Sequence, residues 1–113
     1  MSTIDDFFRH VSAHRQPLLA TTTGTLRFEL REDGIVETWV VNVAKGDVDA
    51  TRDPGADVDT TIRVEKALFA DIVTGRANAI SAVLRGDLGV EGDVELVLIF
   101  QRVFPGPHEA RLR

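Results

Sequence analysis

Twelve residues near the C-terminal end constrain this chain more than any others. Residues 93–104, Asp-Val-Glu-Leu-Val-Leu-Ile-Phe-Gln-Arg-Val-Phe, hold large apolar side chains at Val94, Leu96, Val97, Leu98, Ile99, Phe100, Val103 and Phe104. At about 100° per residue these would cover roughly two-thirds of a helix, leaving only the strip through Glu95 and Arg102 plainly polar. A surface helix needs an apolar stripe only a little over ~100° wide. A helix this apolar is expected to be covered on more than one side, by the rest of its domain, by a partner chain, or by an apolar ligand. Gln101 falls within the apolar arc, where a buried amide without a partner costs about 1 to 3 kcal/mol. It either orients the polar end of a ligand, or bonds a backbone group or solvent at the helix end.

The length of 113 residues fits one domain, 1–113, with an ordered core of about 3–105 and a frayed tail, 106–113. The hydrophobic fraction of 43% suffices for a core. No stretch approaches the ~18 consecutive apolar residues of a membrane span, and the first residues lack the basic-then-apolar order of a signal peptide. The expectation is a cytoplasmic protein with no stable membrane insertion. With no cysteine, disulfides, thiol nucleophiles and cysteine-based zinc sites are excluded. The formal net charge of −5 would repel phosphate backbones, and the absence of tyrosine weakens any base-stacking surface, so nucleic acid is not an expected partner. It also disfavours charge-driven docking on anionic lipid.

Along the chain, residues 2–15 read as a helix with Ser2 or Thr3 as cap, Asp5 and Asp6 at its positive end and Ile4, Phe7, Phe8 and Val11 as its stripe. Pro17 stops it, and Leu18 and Leu19 are expected to tuck under the core. Leu26, Phe28 and Leu30 alternate with Arg27, Glu29 and Arg31, then Asp33-Gly34 signals a hairpin. Residues 35–44 are apolar on both faces, and a second turn at Lys45-Gly46-Asp47 leads to a short third strand. A loop at 52–57 precedes a fourth strand from Val58 to Val64. Helices over 65–74 and 77–85, a fifth strand over 87–91 and the apolar helix capped by Asp93 complete the order. Strands followed by helices point to an α+β domain with its helices on one sheet face.

Catalytic signals are weak. His10 and His14 share a helix side but lack a third metal ligand, Asp87 and Glu91 fall on a strand's solvated face, and Asp93 is occupied as a cap. The glycines of residues 86–93 lack the Gly-Lys-Ser/Thr ending of a phosphate loop. What stands out instead is apolar excess. Phe69, Ile72, Ile80, Val83 and Leu84 on the middle helices, Trp39 and Val41 on the sheet, and Val97, Phe100 and Phe104 at the end are candidates to surround one volume.

Thr23-Gly24-Thr25-Leu26-Arg27-Phe28, Trp39-Val40-Val41 followed by Gly46-Asp47-Val48, Thr60-Thr61-Ile62-Arg63, the helix through Phe69 to Thr74-Gly75, and Leu88-Gly89-Val90-Glu91-Gly92-Asp93 leading to Phe100 together carry a likeness. The chain resembles the sterol carrier protein 2 (SCP2) family of sterol-binding domains, particularly its small stand-alone bacterial members, from about Phe7 to Pro105. The resemblance implies a five-stranded, mostly antiparallel mixed sheet with helices over one face. It also implies an apolar tunnel between them that takes sterols, fatty acids or acyl-CoA, with no cofactor and no metal. Carried over residue by residue, the ligand-binding positions are Trp39, Phe69, Ile72, Val73, Ile80, Val83, Leu84, Leu96, Val97, Phe100 and Gln101. The terminal Arg111-Leu112-Arg113 departs from the Ala-Lys-Leu-like peroxisomal address of eukaryotic members. The expected function is non-enzymatic binding and transfer of an apolar small molecule. The alternative is an interaction domain, forming a homodimer or serving a lipid-metabolising enzyme through the apolar C-terminal helix.

Overall fold

A computed structural model describes residues 3–105. Ser2, as a candidate cap, and the tail 106–113 lie outside the described residues. The first helix, α1 (Thr3–Ala13), buries Ile4, Phe8 and Val11 and half-buries Phe7, the stripe its spacing predicts. Pro17 opens a single 3-10 turn, which seats Leu19 in the core but leaves Leu18 57% exposed, contrary to the expectation that both would tuck under. A turn of three residues per rotation cannot aim adjacent side chains the same way.

Three strands follow, β1 (Thr23–Glu32), β2 (Ile35–Ala44) and β3 (Asp47–Thr51), then β4 (Thr60–Glu65), the helices α2 (Lys66–Val73) and α3 (Ala79–Arg85), β5 (Leu88–Gly92) and α4 (Val94–Phe100). The sheet order is β3-β2-β1-β4-β5, antiparallel except for β1 against β4, which run parallel. This is the five-stranded mixed sheet of an α+β fold. The parallel pair is entered through a side-chain clasp. The Thr25 N–H donates to the Asp59 carboxylate at 3.0 Å, and the Asp59 N–H donates to the Thr25 hydroxyl at 2.9 Å. The ladder therefore starts at Thr60, two residues later than the alternation from Val58 suggests, and Val58 stays only partly buried.

The two sheet faces differ as the period-two pattern requires. On one, Leu26, Phe28, Leu30, Val41, Val43, Ile62, Val64 and Leu88 are buried in a cluster shared with residues of all four helices. On the other, Arg63 bridges Glu29 on β1 and Glu91 on β5 at 2.9 and 3.0 Å, and Arg31 pairs with Glu65 at 3.2 Å. Arg27 reaches back from this polar face to donate to the Ala56 carbonyl, bringing the 52–59 loop over it. Val40, beside Arg27 in register, is thereby buried although it points away from the helices.

Every phenylalanine and the single tryptophan join one network. Phe8 stacks on Trp39 at 4.5 Å and on Phe69 at 5.8 Å, and meets Phe28 edge-on at 5.4 Å. Phe28 contacts Phe100 at 5.7 Å, Phe100 contacts Phe104 at 5.7 Å, and Phe104 returns to Phe7 at 5.3 Å. Such pairs add about 0.5–1.5 kcal/mol each beyond their burial. Phe8 is 0% exposed and joins α1 to both the sheet and α2. The variant Phe8→Ala is expected to lower the unfolding free energy by about 3–5 kcal/mol, measured by urea denaturation followed by circular dichroism. A loss under about 1 kcal/mol would show that α1 is held by something else.

Candidate functional site

The apolar helix is shorter than its composition suggests. Asp93 caps α4 as expected, its carboxylate accepting from the Leu96 N–H at 3.2 Å, but α-helical geometry stops at Phe100 and residues Gln101–Val103 form a tighter 3-10 turn. Leu96, Val97 and Phe100 are the residues it buries, while Val94 is 51% and Leu98 47% exposed. Within the chain itself, cover on α4 leaves Val94 and Leu98 open. Beyond Phe100 the 3-10 turn carries on along the core, with Ile99, Val103 and Phe104 half-buried against it.

Between α2, α3, α4 and the β1, β4 and β5 end of the sheet lies a pocket with no polar surface. Phe28, Ile62 and Leu88 form its floor, Phe69 and Ile72 come from α2, and Ala79, Ile80 and Val83 from α3. Val97, Leu98, Gln101 and Phe104 close the last side. Six of the eleven positions carried over from the family likeness, Phe69, Ile72, Ile80, Val83, Val97 and Gln101, thus converge, together with Phe104 from the apolar excess. The Gln101 side chain is half-buried here, and its amide makes no hydrogen bond among the described residues. The pocket's free volume is only about 20 Å³, room for one water-sized molecule against the roughly 300–1,000 Å³ of typical ligand sites.

The other five candidates lie around the pocket rather than on its wall. Leu96 packs over Gly24, where an added Cβ would come within 2.8 Å of its Cδ2 atom. Phe100, 1% exposed, sits behind the wall against Phe28. Val73 turns to the groove between α1 and the C-terminal turn, with Phe7, Val11 and Val103. Leu84, at the last turn of α3, is 82% exposed. Trp39 is on β2, two strands from β4, and therefore lies under α1. The floor residues Phe28, Ile62 and Leu88 were missing from the candidate set. Their inward alternation was readable, but only the parallel register that sets Phe28 beside Ile62 brings them under one pocket.

Trp39 is held by a polar clamp at the sheet's end. Its indole N–H donates to Glu37 at 2.7 Å, the Arg52 guanidinium lies 4.7 Å above its ring, and Lys66, at the start of α2, reaches Glu37 at 2.9 Å. Burial on its own would raise the Glu37 pKa. The hydrogen bonds from Lys66 and Trp39, with the charges of Lys66 and Arg52, outweigh it and hold the carboxyl below its usual 4.5. The hydrogen bond to Glu37 raises Lys66 above its usual 10.5, against a smaller opposing effect of burial.

Asp87 pairs with Arg85 at 3.0 Å and Glu91 with Arg63. His10 and His14 are exposed with rings 4.7 Å apart, and no group of three metal-binding side chains occurs among the described residues.

Comparison with known families decides the relationship. Residues 4–105 match the SCP-2 sterol transfer family. This chain belongs to that family. The sterol carrier protein domain 2 of Helicoverpa armigera has the same fold, with a TM-score of 0.71 at 20% identity, over 96% of this chain and 89% of that one. The palmitated SCP2L2 of Aedes aegypti superposes with a TM-score of 0.68 at 18% identity, over 91% and 95%. The sec-alkylsulfatase Pisa1 from Pseudomonas sp. matches with a TM-score of 0.74 at 15% identity, over 93% of this chain but only 17% of the sulfatase. The same fold thus occurs both on its own and as part of a larger enzyme, and the family supports binding or transfer of a lipid or sterol.

The Glu37 clamp makes a pH prediction. Because folding lowers the Glu37 pKa, its contribution is complete above pH 4.5 and is lost as pH falls through the folded value below that. Because folding raises Lys66, its contribution is complete below pH 10.5 and is lost as pH rises above it. The urea midpoint of the wild type should exceed that of Glu37→Gln at pH 7, and the gap should close as the solution is acidified below pH 4.5. A gap independent of pH would mean that the charge on Glu37 is not what the clamp uses.

Proposed function

We propose that this SCP2 domain binds an elongated or ring-bearing apolar molecule, a sterol, fatty acid or acyl-CoA, between α2, α3, α4 and the sheet. It does so without catalysis, in the cytoplasm, and passes the ligand on. The observation that carries this reading is the pocket whose lining offers no polar surface and whose single polar residue is Gln101. Burying about 400 Å² of ligand surface there would gain roughly 10 kcal/mol. Immobilising the ligand costs at least about 4 kcal/mol of that. The remainder, at most about 6 kcal/mol, corresponds to a dissociation constant of tens of micromolar or weaker. The Gln101 amide is the group available to accept or donate a hydrogen bond at the ligand's polar end.

A ligand of this size needs the walls to part, and α3 is the wall built to move. It has seven residues, buries fully only Ala79 and Ala82, and lies between Gly75 and Gly86, whose φ angles are +81° and +80°. Swinging α3 outward would widen the pocket into the tunnel that the family likeness implies. It would sacrifice little packing, since α3 leaves Ile80 and Leu84 in solvent already. Ile72, Ile80, Val83, Val97 and Gln101 are the side chains that would touch the ligand. Phe100 and Leu96 would support them from behind, and Leu84, Val73 and Trp39 would border the enlarged space.

Val83→Trp places a large ring in the volume that α3 must vacate. It is expected to weaken uptake of a pyrene-labelled fatty acid about ten-fold, equivalent to about 1.4 kcal/mol, while leaving a cooperative unfolding transition. Wild-type affinity in a folded Val83→Trp protein would remove α3 from the binding wall.

A further inference from the structure

We infer that the pocket selects uncharged lipids, molecules whose polar end is a hydroxyl or a carbonyl, and discriminates against free fatty-acid carboxylates and acyl-CoA. This rests on the binding function proposed above and narrows it. Gln101 is half-buried, lines the pocket and makes no side-chain hydrogen bond among the described residues. A primary amide donates through its N–H groups and accepts through its oxygen, so it can pair with a hydroxyl in both directions and with a carbonyl in one. It carries no charge with which to balance an anion. The other lining residues, from β1, β4, β5, α2, α3 and the C-terminal elements, are all apolar.

No charged residue of these elements lines the pocket. Arg102 follows Gln101 directly but faces the groove that holds Phe7 and Val11. Lys66 at the start of α2 is taken up by Glu37, and Arg85 at the end of α3 by Asp87. On the strands, Arg27, Arg31 and Arg63 lie on the opposite face of the sheet, and Arg76, between α2 and α3, is exposed. Asp71 on α2 and Glu95 on α4 would repel a carboxylate, and the net charge of −5 would repel the phosphates of coenzyme A. An ionised carboxylate drawn into such surroundings finds no partner, and its desolvation is costly enough that it enters only after taking up a proton. A carboxyl group of ordinary pKa, about 4.3, is protonated in only about one molecule in 500 at pH 7. A fatty acid therefore binds here at a handicap that a fatty alcohol of the same length does not carry. Because binding raises the carboxyl pKa, the handicap shrinks as the pH falls.

The test is a fluorescence titration of the full 113-residue chain with two probes that differ only at the polar end, pyrenedodecanoic acid and pyrenedodecanol. At pH 7 the alcohol should bind about ten-fold or more tightly than the acid, and the acid should gain close to ten-fold per pH unit towards about pH 5 while the alcohol stays constant. Glu37 remains ionised over that range, and the alcohol reports any effect that His10 and His14, both on α1 or just beyond it, have on the fold. Gln101→Lys places an ammonium group where the amide was, so the acid should become the tighter ligand at pH 7 and lose its pH dependence. Gln101→Leu removes the hydrogen bond and should weaken the alcohol about five-fold, leaving the acid's slope in place. Acid and alcohol bound equally at pH 7, with no slope, would overturn the preference and leave the binding function standing. A Gln101→Lys protein that is folded by circular dichroism yet keeps the wild-type preference would overturn the placement of the polar end at Gln101. Should that variant not fold, the wild-type slope and Gln101→Leu decide. Uptake of neither probe at any pH would sink the binding function and the preference with it.

Discussion

The stacking of Phe8 between Trp39 and Phe69 is the contact on which the architecture depends. An antiparallel meander with one apolar face cannot remain in water uncovered, and helices of seven to eleven residues are too short to persist alone. Each element is stable only through what it covers. Phe8 carries α1 onto β2 and against α2, and Phe28 and Phe69 extend the same cluster towards Phe100 and Phe104 at the far end. The rings also divide the interior. On the α1 side the space is filled with aromatic edges and faces, and on the α3 side the cover consists of alanine, valine and isoleucine. The filled half provides rigidity, and the half with smaller side chains is where the proposed binding would take place.

Much of this was legible in the residue pattern, because most elements obey one period at a time. The α1 stripe, the Leu26-Phe28-Leu30 alternation, the Asp33-Gly34 turn, the α2 stripe and the Asp93 cap each rest on interactions within a few residues of sequence. The family likeness supplied the mixed sheet, which no local period could. What escaped was non-local or depended on pitch. Val58 alternates correctly yet lies outside β4, because the clasp between Thr25 and Asp59 decides where pairing begins. The single helix read over residues 93–104 ends at Phe100, where a 3-10 turn takes over. Trp39 could be assigned to the helix-covered face but not to a particular helix, since only the strand order puts α1 above it.

The pocket shows how one set of side chains can serve both as core and as binding wall. Phe69, Ile72 and Val97 are almost fully buried, so a ligand bound as proposed above would exchange its contacts for those that these side chains make with one another. The exchange is least costly where buried area is smallest, which singles out α3. A more heavily packed α3 would give a more stable protein and a poorer container. The polar clamp around Glu37 lies on the opposite side of the cluster, where it can hold α2 against the sheet whatever α3 does.

The parallel pairing of β1 with β4 also fixes an order of assembly. Thr25 and Asp59 are 34 residues apart in sequence, whereas β1, β2 and β3 are joined by tight turns. The meander can form early, but one edge of β1 then waits, unpaired, for a strand that emerges much later. Long-range pairing of this kind slows folding and leaves an exposed edge in the meantime. Arg27, Glu29 and Arg31 alternate along that waiting strand, and charged side chains on an open edge discourage pairing with other chains. Glu29 and Arg31, which form ion pairs on the finished sheet, and Arg27, which holds the 52–59 loop, thus also guard the half-built one during synthesis.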